Sequence, residues 1–169
     1  DNGWNGQVQF GIVMRDSLIA DISKSESFES DNDANGSSTE PQTLGTYSNM
    51  TIIGPRATTS YIGNSLYLAG AQIRRNSGIS IFNSVIMGYP TGLLIDASKG
   101  TPTDLNIQSG KLAFQHNIIA GCATPLSYFA STTAPTGWDI QAMMDWFNLP
   151  TSGNEIYAIN NDLKLKDVF

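Results

Sequence analysis

An acidic segment near the start of the chain has the residue types and spacing of a cation-binding loop. Residues 31–36 (DNDANG) fit the first half of a calcium loop, D-x-D-x-[DN]-G, in which side-chain oxygens alternate and glycine permits a sharp turn. The twelfth position, where a bidentate glutamate belongs, holds Gln42 instead. Two interpretations remain open. One is a calcium site of another type, with Asp31, Asp33 and Asn35 as ligands; the other is an ordinary acidic turn, where Asp, Asn and Gly are common.

Two adjacent arginines, Arg74 and Arg75, form the only basic cluster in the chain. In a strand, neighbouring side chains point to opposite faces, so one of the two guanidinium groups should point inward or into a bend. An unpaired charge there is very costly, and it requires a carboxylate partner. We therefore predict that at least one arginine forms an ion pair with an acidic residue on a neighbouring strand. The acidic candidates are Glu29, Asp31 and Asp33, with Asp96 as a further one.

The chain is poor in the residues of the commonest catalytic centres. It contains one histidine, His116, and one cysteine, Cys122, so neither a zinc site nor a Ser-His-acid set can be assembled from the sequence. Cys122 follows an apolar segment, which is typical of a packed residue rather than a nucleophile. The sequence therefore identifies no catalytic residues, and they are unknown.

The composition argues against two classes of partner. Nine Lys and Arg against fifteen Asp and Glu give a net charge of −6, and no basic run is present, so the footprint of a nucleic-acid-binding protein is missing. No apolar run approaches the length that crosses a membrane. Gly, Ser, Thr and Asn are abundant, which favours short strands joined by tight turns over helical bundles.

Three similar segments end on Gly54, Gly88 and Gly121, at steps of 34 and then 33 residues. Apolar residues alternate within the segments, and a period of two is typical of strands and excludes helical repeats. A fixed spacing of this size indicates stacked units, each unable to bury its apolar face alone. One inward position should be polar in every copy, so that the stacked side chains form a hydrogen-bonded ladder. The predicted ladder residues are Asn49, Asn83 and His116.

These patterns predict an all-β fold. The specific expectation is a right-handed parallel β-helix, a pectate-lyase-like solenoid in which each coil carries about three strands. Residues 139–149 (DIQAMMDWFNL) have helical periodicity and begin with a capping residue, Asp139, which predicts one short C-terminal α-helix. Residues 1–169 are expected to form a single β-helix domain, a fragment of a longer β-helix protein.

Several segments resemble a family of secreted, surface-exposed parallel β-helix proteins of Gram-negative bacteria, many of them lipoproteins. The matching segments are residues 1–6 (DNGWNG), 28–36 (FESDNDANG), 72–76 (QIRRN) and 88–96 (GYPTGLLID). The resemblance covers residues 1–120 better than the tail. It implies an extracellular or outer-cell-surface location, a lipid anchor in a region ahead of Asp1, and further coils of the same chain as partners. It supplies no catalytic residue.

Three functions remain open. The leading hypothesis is a surface protein that binds glycans or supports polysaccharide handling. The first alternative is a Ca²⁺-dependent polysaccharide lyase or hydrolase, in which the metal acidifies a proton beside a uronate carboxylate and an arginine removes it. The second alternative is a structural or adhesin-like stalk. The predicted binding residues are Glu29, Asp31, Asp33, Arg74, Arg75 and Asp96. Aromatic residues that could stack on sugar rings are Trp4, Tyr61, Tyr67, Tyr89, Trp138 and Trp146.

Overall fold

The structure, a computed structural model, describes residues 1–56 and 63–165. Within these ranges the chain forms short strands, two α-helices and a final 3-10 helix (Asn160–Leu163). The strands are β1 (Gln7–Gln9), β2 (Ile12–Met14), β3 (Ser25–Ser30), β4 (Thr46–Ser48), β5 (Thr51–Ile53), β6 (Tyr67–Arg74), β7 (Ser80–Phe82), β8 (Val85–Met87), β9 (Thr91–Asp96), β10 (Phe114–Gln115), β11 (Ile118–Ala120), β12 (Thr124–Phe129) and β13 (Glu155–Tyr157). The helices are α1 (Asp104–Gln108) and α2 (Ile140–Phe147).

The strands belong to three parallel sheets. The first sheet has the order β1-β4-β7-β10, the second β13-β11-β8-β5-β2 and the third β12-β9-β6-β3. Consecutive strands enter the three sheets in turn, so β1–β3 form a first tier, β4–β6 a second, β7–β9 a third and β10–β12 a fourth. β13 adds a fifth strand to the second sheet. The first tier therefore lies at one edge of all three sheets.

The predicted repeat spacing is confirmed by the register of the second sheet. Thr51 pairs with Val85, and Val85 pairs with Ile118, both in parallel register. These steps of 34 and 33 residues are the steps between the three glycines. Each tier therefore places equivalent residues directly above one another, because one repeat unit of sequence makes one pass through the three sheets.

The predicted fold class, a parallel β-helix, is wrong. The expectation was an all-β right-handed parallel β-helix with one C-terminal α-helix, whereas the strands form three separate parallel sheets of four, five and four strands, accompanied by two α-helices. α1 lies between β9 and β10, in a region where the sequence predicted no helix. Alternation in the sequence identifies individual strands, but five residues are too few to give α1 a detectable helical period.

The main core lies between the sheets and is closed at one end by α2. Ile52, Ile86 and Ile119 form one buried column in this core. The one predicted helix is confirmed as α2: the Asp139 carboxylate accepts a hydrogen bond from the Ala142 amide at 2.8 Å, which satisfies a free N–H at the helix start. The apolar face of α2 buries Met143 and Phe147 against the fourth tier. That end of the core is therefore covered by a helix.

The residues predicted to form an inward ladder do lie above one another at one bend, but their side chains do not point inward. The bend between the first and second sheets has left-handed backbone in every tier, with φ values of 58°, 55°, 48° and 56°. The residues at these bends are Phe10, Asn49, Asn83 and His116. Asn83 and His116 are exposed and Asn49 is half-buried, so the inward prediction is wrong. Asparagine suits this position because its short polar side chain tolerates left-handed backbone.

The inward polar ladder does exist, one residue further along the chain. The left-handed residue interrupts the strand alternation, so the next side chain turns into the interior. Ser84 Oγ accepts from the Met50 amide at 3.0 Å, and Asn117 Oδ1 accepts from the Ser84 amide at 2.9 Å. Asn154 Oδ1 extends the ladder by accepting from the Asn117 amide at 3.0 Å. Polar side chains thus satisfy backbone donors at successive bends.

Candidate functional site

A charged cluster joins β3 and β6 on the third sheet. Arg74 Nε lies 2.6 Å from Asp31 Oδ1, and the same guanidinium also contacts the Glu29 carboxylate. Arg75 lies 2.7 Å from Asp31 Oδ2. The predicted pairing of the arginines with the acidic segment is therefore confirmed, and both arginines take part in it.

The backbone explains how both arginines reach one carboxylate. β6 ends at Arg74, and Arg75 and Asn76 have left-handed backbone with φ of 49° and 63°. Strand alternation stops at this point, so the two side chains are no longer forced to opposite faces. Asp31 directly follows β3, which pairs with β6. One buried carboxylate therefore receives two guanidinium groups, each charge-assisted hydrogen bond being stronger than a neutral one.

The other predicted binding residues lie outside this network. The Asp33 carboxylate accepts from the Asn35 amide at 2.7 Å and from the hydroxyl and amide of Ser37, and these hydrogen bonds hold the pKa of Asp33 below its usual value. Asp96 accepts weakly from Gln72 at 3.3 Å. Asp33 and Asn35 thus form the ordinary acidic turn that was the alternative interpretation of this motif.

The predicted calcium ligands do not converge on one point. In the described ranges, no group of three His, Cys, Asp or Glu side chains is arranged to hold a metal ion. Both oxygens of Asp31 face arginine, and Asp33 is bound to its own turn. Each would have to release these partners before it could bind a cation, and calcium binding stays a prediction.

The arginine that the lyase hypothesis names as the proton acceptor is poorly suited to that role. Burial lowers the pKa of Arg74, but the hydrogen bond and charge of Asp31 outweigh burial, and the pKa is raised overall. Arg74 therefore stays protonated. Burial also raises the pKa of the Cys122 thiol to about 11, so this thiol is protonated near neutral pH and is a packed residue. His116 lies exposed at its bend.

Glu26, beside the cluster, should make stability depend on pH. Burial, followed by the charge of Glu29, raises its pKa from 4.5 to about 7. Between these two values the folded state holds a proton that the unfolded state has lost, so stability falls as the pH rises through this window. Glu26→Gln removes this titration. We expect the thermal midpoint of the variant, relative to wild type, to rise as the pH increases from below 4.5 to above 7.

Glu155→Gln, which removes a carboxylate from β13 on a different sheet, is the matched control. Thermal melts of the three proteins across the pH range provide the measurement. A midpoint difference between Glu26→Gln and wild type that is the same at every pH would contradict the prediction, because it would mean that Glu26 titrates alike in both states.

A second candidate site is a polar groove of about 530 Å³ at the turns that lead into β4, β7 and β10. Three buried amide side chains, Gln42, Asn76 and Asn106, form its base. Gln42 Nε2 donates to Asn76 Oδ1 at 3.0 Å and to Asn106 Oδ1 at 3.1 Å. Asn106 Nδ2 donates to Asn76 Oδ1 at 3.1 Å, and Asn76 Nδ2 donates to the Ser37 carbonyl at 2.8 Å. The base is therefore held in one arrangement.

The rim of the groove carries further hydrogen-bonding groups. Lys111 Nζ donates to the side-chain Oε1 of Gln42 at 2.7 Å. Glu40 Oε2 accepts from the backbone N–H of Gln42 at 2.8 Å. An ammonium group has three donors and a carboxylate has several acceptor positions, so both retain capacity for a ligand. The remaining lining residues are Ser38, Thr101, Leu105, Gln108 and Ser109.

Sequence reasoning missed this groove, although one signal for it was present. Gln42 and Asn76 are 34 residues apart, the same step that separates Gly54 from Gly88. A search for amide residues at the repeat spacing would have paired them. Asn106 lies on α1, which the sequence did not predict, and its spacing departs from the repeat.

Within the described ranges, none of the predicted sugar-stacking aromatics lines the groove. Trp138 packs against Tyr128 and Trp146 with ring centroids 5.2 and 6.3 Å apart, and Trp4 packs on Tyr47. Tyr67 and Tyr89 are buried in the core. Tyr61 lies outside the described residues. These aromatic side chains, where described, serve packing, which is the commoner role of such residues.

Neither comparison with known proteins nor the character of the two α-helices identifies a function. No protein-family model, curated protein or solved structure matches this chain. Neither helix in the described ranges has the length and apolar character needed to cross a bilayer. The resemblance to surface proteins stays a prediction.

Proposed function

We propose that this protein binds glycans through the groove built on Gln42, Asn76 and Asn106, and that it does so at the outer cell surface. The observation that carries the proposal is the buried amide base, which is fixed by its own hydrogen bonds before any ligand arrives. A preorganised site loses little conformational entropy when it binds, which favours affinity for flexible, hydrated ligands. The cell-surface setting rests on the sequence resemblance alone.

The chemistry of the lining suits sugar hydroxyls. Each hydroxyl is both a donor and an acceptor, and amide and hydroxyl side chains offer the same two capacities. Leu105 is partly exposed at the groove and offers an apolar contact for the C–H face of a sugar ring. One lysine and one glutamate line the groove, so its charge is nearly balanced. A neutral, hydroxyl-rich ligand matches this lining better than a strongly charged one.

The charged cluster favours glycan binding over the lyase alternative. A lyase needs a base that can accept a proton from the sugar. Arg74 and Arg75 are both held by Asp31, and the pKa of Arg74 is raised. These arginines are better suited to fixing β3 against β6 than to proton abstraction.

Lys111→Ala tests the proposal. A panel of neutral and uronate-containing polysaccharides is titrated into the protein by calorimetry. We expect a neutral glycan to bind and the variant to weaken binding about tenfold, which equals about 1.4 kcal/mol, because one charge-assisted donor is lost. Lys99→Ala is the matched control, since Lys99 is an exposed lysine outside the groove lining, and it should bind like wild type.

Two results would contradict this function. An unsaturated, ultraviolet-absorbing product from a uronate polysaccharide would favour the lyase alternative. Absence of binding across the whole panel, by a protein whose thermal melt is cooperative, would favour the structural or adhesin-like stalk.

A further inference from the structure

A buried carboxylate lies behind the helix that forms part of the groove lining. Asp104 is the first residue of α1, and its side chain is fully buried. The same helix and the residue after it contribute to the lining with Leu105, Asn106, Gln108 and Ser109. A carboxylate taken out of water is costly unless hydrogen bonds satisfy it. The groups that donate to Asp104 therefore help to determine how this part of the groove is held.

Two neutral side chains donate to the Asp104 carboxylate. Tyr128 Oη, on β12, donates to Asp104 Oδ1 at 3.1 Å, and Gln108 Nε2 donates to Asp104 Oδ2 at 2.9 Å. Burial, followed by the negative charge of Asp104, raises the pKa of Tyr128 to about 12. The phenol therefore keeps its proton near neutral pH and acts as the donor. Each oxygen of the carboxylate thus accepts one hydrogen bond, and α1 is tied to β12.

The carboxylate determines which atom of Gln108 is left for the groove. An ionised carboxylate can only accept hydrogen bonds, whereas a glutamine amide has a donating NH₂ group and an accepting oxygen. Gln108 must therefore turn its Nε2 toward Asp104, and its Oε1 lies on the other branch of the same planar group. Gln108 is exposed and lines the groove. A glutamine free of Asp104 could present either atom, but this one presents an acceptor.

We infer that Asp104 is a positioning residue for ligand selection, which holds Gln108 so that its Oε1 accepts a hydrogen bond from one hydroxyl of a bound glycan. The inference rests on the proposed function and adds a specificity to it. A site built to hydrogen-bond a hydroxyl discriminates against an analogue that lacks it. The groove should therefore reject a sugar that carries only an acceptor at this position.

Lys111 complements Gln108 in the same groove. Its ammonium group donates to Gln42 at 2.7 Å and has three N–H donors in all, so it can also donate to a ligand. One ligand hydroxyl can accept from Lys111 while another donates to Gln108. A donor and a directed acceptor in one groove would fix the orientation of a sugar ring.

Oligosaccharides in which fluorine replaces one hydroxyl at a time test this inference, because fluorine cannot donate a hydrogen bond. The parent is the neutral oligosaccharide that binds most tightly in the calorimetric panel. We expect one analogue to bind wild type about tenfold more weakly than the parent does. Gln108→Ala should abolish this penalty, and so should Asp104→Asn, since an asparagine can donate to Gln108 and turn its amide round. Penalties at other hydroxyls should persist, because those contacts are independent.

Gln141→Ala is the matched control. Gln141 on α2 donates to the Asp145 carboxylate at 2.8 Å, a similar pair four residues apart, and it lies outside the groove lining. This variant should leave the affinities for the parent and for every analogue unchanged. A purely structural role of Asp104 would weaken the parent and all analogues equally, so the ratios separate positioning from stability.

The outcomes distinguish this inference from the proposed function. A glycan that binds wild type and keeps every penalty in Gln108→Ala would overturn the inference and leave the function standing. A penalty that Gln108→Ala abolishes but Asp104→Asn retains would also overturn it, because Asp104 would not orient the amide. Gln108 is exposed, so its variant decides the matter even where Asp104→Asn fails to fold. Absence of any glycan binding would contradict the function, and this inference with it.

Discussion

Asp31→Ala is expected to lower the free energy of unfolding by about 3 kcal/mol, because it leaves two half-buried guanidinium groups without their shared partner. The Asp31 side chain is only 12% exposed, and it accepts from both Arg74 and Arg75. Removing one member of a desolvated ion network costs more than the pair contributes, since the remaining charges stay buried. Urea denaturation, with the slope compared between variants, measures the change.

Glu29→Ala is the control for this substitution. It removes a carboxylate that contacts Arg74 but is 49% exposed, and exposed ion pairs contribute under about 1 kcal/mol. Equal losses for the two variants would contradict the assignment of Asp31 as the centre of the network. Repeating the melts with calcium tests the cation hypothesis. A calcium-dependent rise in the midpoint of the wild type that Asp33→Ala abolishes would support it.

Asn117→Ala should have a comparable effect, a loss of about 2–4 kcal/mol. Asn117 is fully buried; its Oδ1 accepts from the Ser84 amide and its Nδ2 donates to the Ile81 carbonyl, both at 2.9 Å. The alanine variant leaves two buried backbone groups unpaired, and each such group costs about 1–3 kcal/mol. Chemical denaturation of the purified variant provides the measurement.

His116→Ala is the matched control one residue earlier. His116 is exposed at the bend, so its replacement should change stability by less than about 1 kcal/mol. The two variants decide between the ladder that the sequence predicted and the one found in the structure. A larger loss for His116→Ala than for Asn117→Ala would contradict the observed direction of these side chains.

The features that depend on a single periodic pattern could be predicted from the sequence. The stacking of Thr51, Val85 and Ile118 follows from the predicted spacing, because the repeat length and the alternation specify the same alignment. The ion pairs of Arg74 and Arg75 were also predictable, since a charge near the core requires a partner and the short segment 29–33 holds three carboxylates that need counter-charge. Neither inference needed knowledge of how the strands are grouped into sheets.

Features that depend on bends or on distant segments could not be predicted. One left-handed residue at Asn83 shifts the inward side chain to Ser84, and nothing in the alternation marks that shift. The overall class failed because strand patterns do not reveal a short helix such as α1. The groove was missed because Gln42, Asn76 and Asn106 belong to three different segments between strands, and only the register of the tiers brings them together.

The tiered arrangement also limits how far a local change can spread. The strand ladders link each tier to the tier above and the tier below, so the stack resembles a one-dimensional chain with nearest-neighbour coupling. The amide groove joins the segments that enter the second, third and fourth tiers. Residues far apart without shared partners contribute additively to stability. Selection could therefore alter ligand preference at the groove as a local trait, each change being absorbed by the tiers that border the groove.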